Sequence, residues 1–457
     1  MAEIAPFRGL RYNLQKIPDL GQVVIPPYDV ISPTEQEAFH RSSPFNMIHL
    51  ELGRTTPEDS EENNAHTRAA RCLREWQREE VLIREERPAI YYCELDYFLA
   101  PQVRQTRYGF MCVLRLEDFS SGRVRPHERT FQAVKDERLG LMLACHANLS
   151  PVFALYSDPA LVVDYELKTA REPDPVSGFT DSKGLVHRIW RVLDPQVLQK
   201  VRALMMDKAI FIADGHHRYE TALAYRSIQR ERFPEAGPNA SFEYIMVYLS
   251  NLNQGGLTIL PTHRLLRRMG FWKPDRFLEQ AQGFFEVSDH EANEEGRAEW
   301  KARLDDGRSS KETVIGFHRR STERFYLLKA RRDRISSYLS GRGMPDVLHG
   351  LDVVVLDQLI LRHILELSEE LLGNEHNIHF KHDLDEAIAA VQNGEYEAGF
   401  FINPTRIEQV QEVASAGLIM PHKSTYFYPK VGSGMVIHPL LETRNPESAD
   451  GDRRFLV

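Results

Sequence analysis

Cysteine is scarce in this chain, and its few copies stand apart. Cys72, Cys93, Cys112 and Cys145 form no Cys-x-x-Cys pair, which excludes a zinc knuckle and a disulfide framework and fits a reducing cytoplasm. Long apolar runs are missing too. No window approaches the roughly eighteen uninterrupted apolar residues of a membrane span, and "MAEIAPFRGLRYNLQKI" at the start lacks an apolar segment of signal-peptide length. A soluble, cytoplasmic protein without a membrane partner is expected. Basic charge is not in excess either: 57 Lys and Arg stand against 66 Asp and Glu, a net charge of −9. Without a broad basic face or a helix-turn-helix pattern, nucleic acid is disfavoured as a partner. Internal repeats and low-complexity tracts are absent.

What is present is enough apolar material, 42% of 457 residues, for two or three domains with real cores. "GQVVI" reads as a short strand and "NMIHLELG" alternates like another. Ser32-Pro33 with Glu35 marks a helix start, and residues 63 to 83 carry apolar side chains at helical spacing. "AIYYCELDYFL" and "RYGFMCVLRLEDF" predict two antiparallel strands. Further on, "PVFALYS", "GLVHRIWRVL" and residues 209 to 213 read as strands, with helices in "PQVLQKVRALMM" and "YETALAYRSIQRERF". The "PTHR" stretch reads as a loop and "LDVVVLDQLILRHIL" as an apolar helix. The tail from 377 alternates β-α-β, which suggests an α/β lobe. The fold class expected is α/β, mixed with α+β. The boundary falls near 268, with a first domain at 1–268 carrying the PPYD, HERT, DGHHR and PTHR motifs and a second at 269–457 carrying KSTYFYPK.

The densest chemistry is "ADGHHRYETA", where a buried strand runs into Asp214, Gly215, His216, His217 and Arg218. Three readings stay open. Asp214 could simply cap the following helix, with the histidines on its surface. A metal could take Asp214, one histidine and a distant His127 or His263, although adjacent histidines diverge by about 100° on a helix. An anion explains more: two imidazoles and a guanidinium at the positive end of a helix are unfavourable unless negative charge joins them. Asp214 would then orient a histidine, position the loop or act on a substrate proton.

Companion motifs supply further polar groups. Asp29 follows the stiff Pro26-Pro27-Tyr28 and is a candidate general base, or else a turn residue. His127 and Glu128 offer a second polar wall, His263 and Arg264 a grip on a carboxylate or phosphate, and Lys423, Ser424 and Thr425 donors to an anion. The last stretch is not a P-loop. Gly417 is followed four residues later by His422-Lys423-Ser424 without the second glycine, and a strand-like segment follows instead of a helix.

Together "PPYDVI", "HERT", "ADGHHRYETA", "LPTHRLL" and "MPHKSTYFYPK" resemble a bacterial and archaeal family of unknown function, DUF1015, over almost the whole chain. Asp-Gly-His-His-Arg also looks like the phosphate-binding element of the ParB/sulfiredoxin-like fold, which includes free-serine kinases. That resemblance implies a ParB/sulfiredoxin-like N-terminal part and phosphates held by Gly215, His216, His217 and Arg218. It further implies a candidate base at Asp29 or Glu128, ATP or ADP with Mg2+ as cofactor, and serine or phosphoserine metabolism. The function expected is a small-molecule phosphotransferase or phosphate-ester enzyme, kinase-like, acting on an anionic substrate. A metal-dependent hydrolase and a ParB-like nucleotide-sensing or nucleic-acid-binding module are the alternatives.

Overall fold

The computed structural model describes residues 2–100, 102–128, 130–267, 274–320, 322–372, 377–421 and 423–440. These fall into two compact units, the first within Met1–Pro126, Thr130–Leu257 and Pro429–Val457, the second within His127–Arg129 and Thr258–Tyr428. His422 lies outside the described residues. Architecture in both units is mixed α/β. The four cysteines are unpaired, and among the described residues no helix is long and apolar enough to cross a membrane.

The first unit is organised by one large mixed sheet. Its described strands run in the order Val124–Arg125, Ile210–Asp214, Val152–Tyr156, Tyr244–Asn251, Val103–Arg115, Ile90–Ala100, Val186–Val192 and Ser177–Thr180, with Ile4–Ala5 also on Val103–Arg115. The two long aromatic segments form the expected hairpin. Tyr244–Asn251 is buried at every position, as a strand covered on both faces must be, and it runs parallel to Val152–Tyr156. Local chemistry sets the helices. Ser32 and Glu35 close a capping box on Pro33–Ser42, and the Asp194 side chain caps Pro195–Met205. Helix His216–Arg232 buries Tyr219, Ala222 and Tyr225 in the core beneath the sheet.

Two expected strands of this unit take other forms. "NMIHLELG" contains the helix Ile48–Glu51, because the Asn46 side chain accepts from the Ile48 N–H at 2.9 Å and starts a turn. The alternation misled because Glu51 is buried together with Ile48 and Leu50, so polar and apolar positions do not separate onto two faces. "GQVVI" leads out of a 3-10 turn, Leu20–Gln22, and makes one isolated bridge, Ile25 to Ser433.

The second unit holds an antiparallel sheet in the order Phe285–Glu291, Arg324–Ala330, Val314–Arg319, Ala398–Phe401, His263–Leu266 and Ile378–Lys381. The β-α-β run of the tail is present as a split unit. Ile378–Lys381 and Ala398–Phe401, joined through helix Leu384–Gln392, flank His263–Leu266 on its two sides. "PTHR" is therefore not all loop: His263 and Arg264 begin a strand of the second unit's sheet, and the division of the chain falls at Leu257/Thr258 where 268/269 was expected. KSTYFYPK is likewise shared, with Lys430 in the first unit. The apolar helix begins as Asp352–Val354 and continues as ten residues of π-helix, Val355–Ile364, a geometry that hydrophobic periodicity does not reveal.

At the start of that helix, burial pushes the Asp352 carboxyl up to about 7, against the opposing pull of Thr313, the Asn403 backbone and Arg406. Its Oδ2 is buried and makes no hydrogen bond among the described residues. An acid whose pKa rises on folding favours the folded state while protonated, and that contribution is lost as pH rises through the folded value. Asp352→Asn, which mimics the protonated acid, should therefore gain in melting temperature over the native protein between pH 4 and pH 7 and hold that gain above. A difference independent of pH would refute the assignment.

Candidate functional site

A bulge prepares the site. Strand Ile210–Asp214 pairs with Val152–Tyr156 in regular register through Ile212, then shifts so that Asp214 stands opposite Phe153. Such an extra residue re-aims the side chains beyond it. Asp214 is thus the last residue of the strand, and the N-cap position belongs to Gly215.

Gly215 is required twice. Its φ of 88° is left-handed, and the Arg218 side chain folds back over its Cα, so that a Cβ would lie 2.8 Å from Arg218 Nε. From there Arg218 Nη2 donates to Asp214 Oδ2 at 2.7 Å, and Nη1 donates to the Pro151 carbonyl. The other oxygen of Asp214 takes the Lys430 ammonium. Lys430 is delivered by a buried anchor: Arg107 lies between the rings of Phe153 and Tyr248, 4.9 and 5.3 Å from their centres, and donates to the carbonyl of Pro429. Burial alone would raise the Asp214 pKa, but Lys430 and Arg218 outweigh it and hold this carboxyl far below the usual carboxylate range.

The two histidines differ in role. His216 is buried and adds to the positive field on Asp214. His217 accepts the Phe131 N–H on Nε2 at 2.9 Å and stacks on the Phe131 ring, so it helps cap helix Gln132–Cys145. The cluster is therefore not three cations awaiting outside charge: Arg218 is paired within the chain, and His217 uses one nitrogen as an acceptor. Glu220, one turn further, takes Thr130 Oγ1 at 2.9 Å and Lys135 Nζ at 2.8 Å. Asp29 lies exposed on the 3-10 turn Tyr28–Val30 and makes no hydrogen bond or ion pair among the described residues.

The remaining expected residues gather in the second unit. His127 is fully buried, its Nε2 2.8 Å from Thr425 Oγ1, and Glu128 accepts the Ser424 N–H at 3.2 Å. Arg264 donates to the Lys423 carbonyl at 3.0 Å and to that of Thr262, with its guanidinium over the Phe380 ring. Desolvation lowers its pKa to about 10 in spite of Asp357 and Glu128. Lys423 is left-handed at φ 58°, and Ser424 Oγ donates to Pro421 O at 2.5 Å. His263 accepts the Ile402 N–H on Nδ1 at 3.3 Å, and burial, aided by Arg264, drives its pKa down to about 3, so the ring stays neutral. Among the described residues no group of three or more His, Cys, Asp or Glu gathers as a metal site.

The residues that sequence reasoning passed over are Lys430 and Arg107. Neither sits in a motif around Asp214; only the packing of distant segments brings them there.

The chain belongs to the family described as Protein of unknown function (DUF1015), whose model matches residues 4–354. Among solved structures it is similar to a conserved hypothetical protein from Pyrococcus furiosus at 12% identity and a TM-score of 0.34, covering 71% of this chain and 93% of that one. A variant of a free serine kinase in complex with AMP aligns at 12% identity and TM-score 0.34, covering 69% and 87%. SbnI with a C-terminal truncation, from Staphylococcus aureus, aligns at 10% identity and TM-score 0.33, covering 72% and 87%. No curated protein matches the sequence.

Replacing Gly215 by alanine should strain the left-handed turn and push Arg218 off its seat. A loss on the order of 1–3 kcal/mol is expected, read from urea unfolding, and an unchanged midpoint would show that the turn relaxes freely.

Proposed function

We propose that the first unit binds a phosphate-bearing small molecule at the start of helix His216–Arg232, and that the protein is a phosphotransferase-like enzyme. One observation carries this reading: two cations, Arg218 and Lys430, and the positive end of a 17-residue helix meet at a single carboxylate, Asp214. Phosphoryl transfer asks a protein mainly for positioning and for charge held ready at the phosphate oxygens. Asp214 fixes both cations before a ligand arrives, so they lose little freedom on binding.

Roles follow from the acidity of each group. A carboxylate held so far below neutrality is a weak base, so Asp214 acts here as a positioning residue. Both its oxygens are occupied, by Lys430 and Arg218, and it does not fit as a magnesium ligand. Asp29 fits better: exposed and without a bonded partner, it can hold a magnesium ion through its waters or accept the proton of an attacking hydroxyl. Magnesium supplied with ATP or ADP would neutralise phosphate charge during transfer. L-Serine and phosphoserine are the hydroxyl acceptor and product suggested by the sequence resemblance.

The test is calorimetric titration with ATP, ADP and phosphoserine, each with and without magnesium. Binding of at least one is expected, and Lys430→Met should weaken it by about tenfold or more while circular dichroism stays native. Absence of heat with all three ligands would overturn the proposal.

A further inference from the structure

Tyr28 stands on a stiff turn. Pro26 and Pro27 restrict the backbone before it, Pro27 is buried, and the Val30 N–H returns to the Pro27 carbonyl at 3.2 Å. The ring is held on one face by the Arg138 guanidinium, 4.2 Å from its centre, a cation–π contact.

Arg138 is itself committed within the chain. Its Nε and Nη2 donate to Glu137, and its Nη1 donates to the Glu51 carbonyl at 3.0 Å. From Glu51 the path to Arg218 is short. Ser150 donates to Glu51 Oε1 at 3.0 Å, and the next residue, Pro151, accepts Arg218 Nη1. Both guanidiniums border one cavity of about 40 Å³. Tyr28 thus lies beside the helix start where Arg218 and Lys430 meet at Asp214.

The hydroxyl of Tyr28 is the unspent group. The residue is partly buried, and its Oη makes no hydrogen bond among the described residues, yet this atom is not sealed from solvent. Of the charges around it, Arg218 acts on it most strongly, ahead of the adjoining Asp29, of Arg138 and of Glu51. Burial pushes the phenol pKa well above its ordinary value, so the proton stays in place. A protonated phenol beside a guanidinium offers a donor and lacks an acceptor, and an anion's oxygen satisfies both groups at once.

We propose that Tyr28 is a further binding residue of the phosphate site, its hydroxyl donating to an oxygen of the phosphate that Arg218 and Lys430 attract. This rests on the phosphate reading and adds to it a neutral donor from a different segment. The cations supply charge, and Tyr28 supplies direction. It also sets Asp29, the next residue, beside the bound phosphate, as the role of base or magnesium holder requires.

Calorimetric titration of the native protein and of Tyr28→Phe, with ADP and phosphoserine and with adenosine and serine as phosphate-free counterparts, tests it. The variant keeps the ring and its contact with Arg138. It should bind the phosphorylated ligand about tenfold or more weakly, leave any binding of the phosphate-free counterpart unchanged, and melt at the native temperature. Equal affinity of the two proteins for a phosphorylated ligand overturns the role of Tyr28 and leaves the phosphate reading standing, as does an equal loss with the phosphate-free counterpart. No binding of either phosphorylated ligand to the native protein overturns both. Should the variant not fold, a crystal of the native protein with bound ligand decides: Tyr28 Oη within about 3 Å of a phosphate oxygen is expected, and a hydroxyl turned away from the phosphate overturns the proposal.

Discussion

A single carboxylate withdrawn from water sets the terms for the first unit. Asp214 between Arg218 and Lys430 is a largely enclosed charge, its side chain 12% exposed, and is met on both oxygens, since removing one partner from a buried pair costs up to about 3–5 kcal/mol. The surrounding geometry answers to that requirement. The bulge in Ile210–Asp214 turns the side chain, the left-handed Gly215 makes room for the returning guanidinium, and Arg107 holds the Pro429 carbonyl so that Lys430 arrives at the other oxygen. Recognition of a phosphate needs cations positioned in advance, and the proposed chemistry rests on the two that Asp214 holds in place.

The second unit uses hydrogen bonds between side chains and backbone. His127 pairs with Thr425 and Glu128 with the Ser424 N–H, and Arg264 donates to backbone carbonyls. Such buried polar contacts favour the arrangement of strands that makes them. The residues that looked most like a substrate wall in the sequence hold the segment at 423–425 in place.

How much could be read from residues alone depended on how local the cause was. Ser32-Pro33 with Glu35 and Asp194-Pro195 carry their own capping chemistry, and the aromatic hairpin carries its own strand-favouring aromatic and β-branched residues, so these elements were legible. The Asp-Gly-His-His-Arg turn was legible as a strand end meeting a helix. Its internal pairing was not, because Lys430 reaches Asp214 across more than two hundred residues of chain. Ile48–Glu51 failed as a strand because Glu51 is buried with the apolar residues, against the separation of faces that alternation relies on, and His263–Leu266 was missed because its partners lie past residue 377.

The discontinuity of the first unit carries a consequence for biogenesis. A ribosome releases Asp214 and Arg107 long before it polymerises Pro429 and Lys430, with the whole of Thr258–Tyr428 in between. Until that last segment emerges, the nascent sheet holds a carboxylate with one cation instead of two and an arginine whose carbonyl acceptor does not yet exist. Completion of the Asp214 ion pairs thereby waits on the segment that follows Tyr428.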